Sequence, residues 1–374
     1  MVKVLIPTKS DDADAIYVKL ALEKKGHECI IFYTADFPER QVHSFELKEG
    51  GVDWYACGPD FHINKNHQFD VVWLRRPRMP KMPAIIHEED IKHARDEHTA
   101  FFRTFWQVIS PHAFWVNPIN VVRVANCKLL QLKIAMEVGF NIPNSLFSND
   151  PARVKEFISK NRENKVIYKT LSPAMWSAKN ELRITYTDEI TVDRLPSDIM
   201  VQCSPGIYQE KINKKFELRV TCFGESIIAV KIESQKHPRG MMDWRYIPSN
   251  QLGIERYILP ADIEKKCKQF MKKLGLVMGC FDFIVTPDNE YYFLEVNEQG
   301  QFLWIEEINH DIKMLDAFSE FLIHAKRDFK WKPSGKSLSL HDLKPEMIPL
   351  QEEAIVKHIN PDTFPYRPTM EAQT

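Results

Sequence analysis

The sequence predicts a mixed α/β chain of two or three units, on three observations. Strand-like and helix-like segments alternate through the first hundred or so residues, capped helices and strands start again near Asn117, and two late hairpins mix apolar runs with conspicuous charges. A length of 374 residues fits that count at about 100–200 residues per domain.

Val2 to Pro7 reads as the opening strand, because MVKVLIPTKS has neither the long apolar segment nor the small-residue cleavage site of a secretory signal. The helix DADAIYVKLALEKKG follows. Ala13, Ile16, Tyr17 and Leu20 share one side, Asp11 or Asp12 can cap the start, and Gly26 suits the left-handed position that ends helices. ECIIFY and FDVVWLRRP add strands, making residues 1–116 an N-terminal α/β unit. In EEDIKHARDEHTAFFRTFWQVI, Ile91, Ala94, His98, Phe101, Phe102 and Phe105 recur at helical spacing; His93 and His98 fall on different faces, which argues against a metal pair.

Residues 117–327 open with a helix from Cys127 to Val138, capped by Asn126 and closed by Gly139. SNDPARVKEFISKN is a second helix with Pro151 in its first turn. KVIYKTL, ELRITYT, DIMVQC and GIYQEKI read as strands, FELRVTCFGESIIAVKIES as a hairpin turning at Gly224-Glu225, and ADIEKKCKQFMKKLGL as a helix. From Asp328 to Thr374 the pattern weakens into a partly ordered tail with a short helical KPEMIPLQEEAIVKHI.

Lys plus Arg (50) nearly balance Asp plus Glu (51), so no overall field would hold nucleic acid or an anionic membrane. Seven cysteines without a CxxC pair fit a reducing cytoplasm better than a disulfide framework. No apolar run approaches the roughly 20 residues needed to cross a bilayer.

The chemistry concentrates in CFDFIVTPDNEYYFLEVNEQGQF. If Pro287 to Glu290 form the loop, Thr286 faces Tyr291 and Asp282 falls opposite Glu295; Asn297 shares their face by alternation. A one-residue slip would turn one acid away. Two close carboxylates repel unless a cation sits between them, and hard oxygens in small number suit magnesium. A solvated face with an Arg or Lys partner is the alternative.

Lys128 lies in the first turn of its helix, where the macrodipole favours an anion; a phosphate would resolve the conflict, and an exposed lysine is the plainer reading. Lys169 interrupts an apolar strand, as a phosphate ligand or a snorkelling edge residue. Gln209, Glu210, Lys211 and Ile212 could offer backbone groups to an adenine edge. Glu217 and Arg219 share a strand face, suited to ribose hydroxyls and a transferring phosphoryl group, or else to ion pairs with Lys231 or Glu233. SQKHPRGMMDWRYIPSN is either a lid or an exposed excursion; as a lid it would bring Arg245 to an acyl phosphate.

Taken in order, Lys128, Lys169, QEKI, Asp282 and FLEVN resemble the ATP-grasp superfamily from about Asn117 to Ala325. VLIPTKSDDADA, WLRRPRMP, VNPINVVRVANCKLLQLKIA, DWR and EVNEQGQFLW extend the likeness to the microviridin-type ribosomal peptide maturases, or graspetide synthetases, which are RimK-like. The resemblance implies an α/β (α+β) ATP-grasp fold with residues 1–116 as a pre-ATP-grasp domain. It further implies ATP and Mg2+ as cofactors, a ribosomal precursor peptide as partner, and a homodimer as an admissible assembly. The implied reaction activates a peptide Asp or Glu carboxylate as an acyl phosphate, ATP going to ADP, and joins it to a Ser/Thr hydroxyl or Lys amine. Alternatives are a stand-alone RimK-like amino-acid or glutamate ligase and a non-catalytic nucleotide-binding module. Two departures stand out: LSPAMWSAKNE has no glycine where many relatives carry a glycine-rich loop, and Asn297-Glu298-Gln299-Gly300-Gln301 replaces the usual Asn-Pro-Asn or Asn-Pro-Gly before Gly-Gln.

Overall fold

The computed structural model describes residues 1–161, 165–171, 175–178, 181–184, 187–333 and 337–360. Strand β1 (Lys3–Thr8), helix α1 (Ala13–Lys24) and strand β2 (Glu28–Tyr33) build a right-handed start to a parallel sheet. An antiparallel insert of β3 (Val42–Lys48), β4 (Gly51–Gly58) and β5 (Phe61–Asn64) follows. The chain then returns through β6 (Val71–Trp73), α2 (Ile91–Val108) and β7 (Phe114–Val116), giving the order β2-β1-β6-β7. Alternation divides the sheet's two faces. Leu5, Phe32 and Val72 pack towards α2, whereas Val4, Ile6, Ile31 and Trp73 pack on the α1 side. At the end of α1, Gly26 takes a left-handed φ of 82°.

A short helix α3 (Ile119–Ala125), absent from the sequence-based reading, precedes α4 (Lys128–Glu137). Asn126 therefore closes α3, and Cys127, whose side chain makes no capping bond, precedes α4. The central sheet, ordered β12-β9-β13-β8, contains β8 (Ser145–Ser148), β9 (Val166–Lys169), β12 (Asp188–Ile190) and β13 (Gly206–Glu210), with α5 (Pro151–Lys160) packed against it. Asp150 caps α5 by accepting from Ala152 and Arg153 amides. The small hairpin β10 (Met175–Ala178) and β11 (Glu181–Ile184) lies in the glycine-free stretch after Lys169; the rest of the predicted ELRITYT strand reaches residues 185–186, outside the described ones. DIMVQC is a helix, α6 (Asp198–Cys203), and not a strand. Ile199 and Met200 are exposed while Val201 is buried, so a strand's two-residue alternation has no buried face to serve.

The third sheet is antiparallel in the order β16-β15-β14-β17-β18. Its strands are β14 (Phe216–Phe223), β15 (Ser226–Ile232), β16 (Ile254–Tyr257), β17 (Met278–Val285) and β18 (Tyr291–Asn297), with α7 (Ala261–Leu274) between β16 and β17. Leu218, Val220, Phe281, Phe283, Phe293 and Val296 pack with α4 and α7, which leaves Glu217, Arg219, Asp282 and Glu295 for the opposite face. Helices α8 (Trp304–Ile308), α9 (Met314–His324) and α10 (Leu340–Lys357) finish the chain.

The tail differs from its sequence-based reading. Helix α10 has 18 residues, starts with a Ser339–Asp342 capping box, and buries Leu340, Leu343, Met347 and Ala354 in the core containing α1 and α9. His358 then sits between Asp36 and Asp60, 2.6 Å from each. Residues 361–374 of the tail lie outside the described ones.

Candidate active site

The acidic hairpin reaches the expected pair by two compensating irregularities. Thr286 donates its amide to Glu290, so the loop is Pro287-Asp288-Asn289, with Asn289 at a left-handed φ of 63°, one residue shorter than the sequence suggests. That register would set Leu294 against Asp282. A bulge between Asp282 and Phe283 leaves Leu294 unopposed and restores the pairing Asp282 with Glu295, Phe281 with Val296 and Cys280 with Asn297. The Asn297 amide donates to Asp282 Oδ2 at 3.0 Å and approaches Glu295 Oε1 at 3.5 Å. All three side chains therefore converge.

Strand β18 is an edge strand, and side chains of the helical layer complete its bonding. Gln131 of α4 accepts from the Val296 amide at 2.8 Å and donates to the Val296 carbonyl at 2.9 Å, as a neighbouring strand would. Asn117, at the junction with the N-terminal sheet, accepts from the Val277 and Met278 amides and donates to the Met278 and Glu298 carbonyls. Neither residue stood out in the sequence. Their buried amides within apolar surroundings, visible as VNPIN and KLLQLK, were the available signal.

Cations surround the acids. Arg219 Nη1 contacts both Asp282 oxygens at 2.8 and 2.9 Å, and Lys128 Nζ lies 3.7 Å from Glu295. The Arg-partner alternative thus describes Asp282 in this structure. The proposed Lys231 or Glu233 partners do not apply: Lys231 stands opposite Leu218 and bonds Glu233 and Glu255, while Glu217 pairs with Lys214 at 3.0 Å. Arg219 Nη2 also holds the Gln301 carbonyl at 3.0 Å, and its buried Nε has no hydrogen-bond partner among the described residues.

Burial pushes the Asp282 carboxyl up, and Arg219 opposes the shift without cancelling it. Burial acts the same way on Glu295, but Lys128, Lys169, Arg245 and Arg219 outweigh it and hold that carboxyl below its usual range. Lys169 is pulled from 10.5 to about 8 by burial, with Lys128 and Arg245 reinforcing the shift and Glu295 opposing it. Its ammonium donates to Gln209 Oε1 at 2.7 Å, and Gln209 in turn donates to Ser145. Burial raises the Glu217 carboxyl, partly offset by Lys214.

The remaining predicted residues bond other partners. Lys211 is tied to Glu189 of β12, Glu210 Oε2 meets the Asn144 amide at 3.4 Å, and Ile212 is buried. Arg245 forks onto Asp243 through Nε at 2.8 and 3.0 Å, and Trp244 stacks on Trp304 with centroids 4.9 Å apart. Ile247 and Leu252 anchor this loop against Ile232. It is an ordered flap of short 3-10 turns beside the acids.

The turn after Asn297 joins this site to the first sheet. Arg75 Nη1 donates to the Gln299 and Gly300 carbonyls at 2.8 and 3.2 Å, and Gln299 Nε2 reaches the Leu74 carbonyl. A Cβ on Gly300 would lie 2.7 Å from Cys280 Sγ and 3.1 Å from Arg219 Nη2, so only glycine allows this approach. The replacements after Asn297 are accommodated here, with Glu298 buried and its carbonyl held by Asn117.

These donors fit magnesium with ATP. Two carboxylates and an amide offer oxygen ligands, Lys128 and Lys169 are close enough to interact with Glu295, and α4 presents an N-terminus lacking a side-chain cap. Oxygen ligation by Asn297 would need its amide turned so that Oδ1 faces the acids.

Comparison with known proteins agrees with this architecture. Residues 3–123 match the family model described as MvdD pre-ATP grasp domain. The macrocyclase MdnC bound with precursor peptide MdnA from Microcystis aeruginosa MRC is 30% identical, with TM-score 0.75, over 87% of this chain and 100% of that one. A RiPP-associated ATP-grasp ligase from Chryseobacterium gregarium, in complex with ADP and a leader and core peptide, is 26% identical with TM-score 0.79, over 89% and 100%. Macrocyclase MdnB from Microcystis aeruginosa MRC is 26% identical with TM-score 0.72, over 86% and 99%. Among curated proteins nothing matches.

Proposed function

Because the chain belongs to the microviridin-type ATP-grasp peptide ligases, we propose that it activates an Asp or Glu side chain of a ribosomal precursor peptide as an acyl phosphate and joins it to a Ser/Thr hydroxyl or Lys amine. The observation that carries this reading is the convergence of Asp282, Glu295 and Asn297 opposite Lys128 and Lys169, beside Arg219.

Magnesium, when held by Asp282, Glu295 and Asn297, would neutralise phosphate oxygens. Lys128 and Lys169 bind the nucleotide's phosphates, and Lys169 is kept in place by Gln209. Residues Gln209 to Ile212 line the adenine, and Glu217, braced by Lys214, accepts from the ribose. Arg219 shifts part of its hold from Asp282 to the transferring phosphoryl group, offering its unpartnered Nε–H. ADP leaves as a carboxyl oxygen bonds the γ-phosphorus; the hydroxyl or amine then attacks the acyl carbon, the carbon–oxygen bond to the phosphoryl group breaks, and inorganic phosphate leaves with that oxygen and takes up the nucleophile's proton. Arg245, oriented by Asp243, steadies the tetrahedral intermediate from the flap.

The two relatives above solved with peptide support a peptide partner. Incubation of a neighbouring gene's peptide with ATP and magnesium should release ADP and lower the peptide's mass by one water per bond formed. Unchanged mass with every such peptide, together with phosphate release on free amino acids, would replace this reading by the amino-acid ligase. Tight nucleotide binding without ADP formation would favour the binding module.

A further inference from the structure

The parallel sheet carries a second polar cluster, at the carboxyl ends of β1 and β6. The chain leaves β1 towards β2 on one side and returns to β6 on the other, so these two strands flank the sheet's switch point, where open α/β sheets place ligands. The crevice there is edged by residues 8–12 and 74–78, and the C-terminal segment covers part of it, with Ser10 donating to the Ile359 carbonyl and Gln351 to the Asp11 carbonyl.

Its carboxylates are already engaged. Asp12 accepts from Thr8 at 2.6 Å and lies 3.3 Å from Arg75 Nε; Asp14 takes Arg75 Nη2 at 2.7 Å; Asp11 pairs with Lys9 at 2.8 Å. Arg75 is fully buried and donates Nη1 to the Gln299 and Gly300 carbonyls, while its Nε, near Asp12, has no hydrogen-bond partner among the described residues. Arg76 differs. It is half-buried, yet makes no hydrogen bond or ion pair among the described residues. Burial and the adjacent Arg75 and Arg78 charges bring its pKa below the ordinary arginine value, so the fold holds this cation at a cost. Asp12 and Asp11 offset part of it without forming a hydrogen bond to Arg76 among the described residues.

We infer that this crevice, with Arg76 as its open cation, anchors an aspartate or glutamate side chain of the peptide substrate beside the phosphoryl site; the inference rests on the peptide-ligase reading above. A guanidinium's fork matches a carboxylate in two parallel hydrogen bonds, which suits Arg76 for this task better than a lysine. The crevice is also linked to the ligase centre through the turn at Gly300. Arg75 grips Gly300, and Gly300 abuts Arg219, so the backbone that carries Arg76 is tied to the turn beside the phosphoryl site. The nucleotide's phosphates have their own cations, Lys128 at the start of α4 and Lys169 on β9.

The test uses fluorescein-labelled hexaglutamate and hexaglutamine, titrated by anisotropy against the full chain with saturating Mg2+ and ADP to occupy the phosphate cations. Wild type should bind hexaglutamate and not hexaglutamine. Arg76→Gln should weaken hexaglutamate at least about tenfold, Arg76→Lys should restore part of it, and ADP affinity should not change. Arg76→Gln should melt no lower than wild type, whereas Arg75→Gln should melt markedly lower. Equal hexaglutamate affinity in wild type and Arg76→Gln, no hexaglutamate binding by wild type, or a lowered melting temperature for Arg76→Gln would each overturn the inference. Arg76-dependent binding without ADP formation on any peptide would instead count against the ligase reading and leave the crevice standing.

Discussion

At pH 9 the protein should take up close to one proton for each nucleotide it binds, and Lys169 should be the group that takes it. In the free protein burial, reinforced by Lys128 and Arg245, draws this lysine from 10.5 to about 8, so at pH 9 roughly nine in ten copies are neutral. Polyphosphate favours the ammonium and raises the pKa again. Affinity should therefore be flat below pH 8 and fall about tenfold per unit above it; full recovery to 10.5 would total about 2.5 decades, or about 3 kcal/mol. The free fold has the opposite slope. Between 8 and 10.5 the unfolded chain binds more protons than the folded one, so the destabilisation by Lys169, fully present below pH 8, is relieved as pH rises. Calorimetric titration of MgADP in two buffers of different ionisation heat measures the uptake, with Lys169→Met as control. Uptake near zero at pH 9, or the same uptake in Lys169→Met, would refute the phosphate assignment.

Replacing Gln131 by leucine strips partners from the buried Val296 amide and carbonyl, and should cost about 3 kcal/mol in a denaturant titration, with a raised magnesium requirement for ADP formation. Glu295→Gln should reduce ADP formation by several orders of magnitude and also lower the melting temperature at neutral pH, since it removes the charge that Lys128, Lys169, Arg245 and Arg219 hold ionised; an unchanged melting temperature would refute that electrostatic reading. Trp304→Ala removes the stack beneath Trp244; turnover at saturating peptide should fall as the flap loses its seat, and stability should drop by about 3–5 kcal/mol or less given the partial exposure of Trp304. A melting temperature and turnover both equal to wild type would exclude a seating role.

The sheets and their polar face were legible because two-residue alternation survives in FELRV, CFDFIV and YFLEV. The acid pair was legible for a less secure reason. The short loop and the Leu294 bulge each shift the register by one and cancel, and no local residue pattern announces such a bulge. DIMVQC has the β-branched and apolar content of a strand, and only its surroundings make it a helix, with Val201 as its single buried residue. Helix α10 was underestimated because Pro345 and Pro349 interrupt its helical signal, whereas four buried side chains and the capping box hold it. Gln131, Asn117 and Arg75 act through contacts made across more than 150 positions of sequence, beyond the reach of periodicity.

The packing of α10 on α1 also sets an order of events during synthesis. The apolar side of α1, with Ile16, Leu20 and Leu22, is covered by residues from α9 and α10, which leave the ribosome some three hundred positions later. At about 5–20 residues per second that interval is on the order of 15–60 seconds. Throughout it the nascent amino-terminal sheet has one finished side, under α2, and one greasy side still waiting for its cover. A chaperone that binds exposed apolar helices would find its longest opportunity there, and release would coincide with arrival of the segment ending at His358.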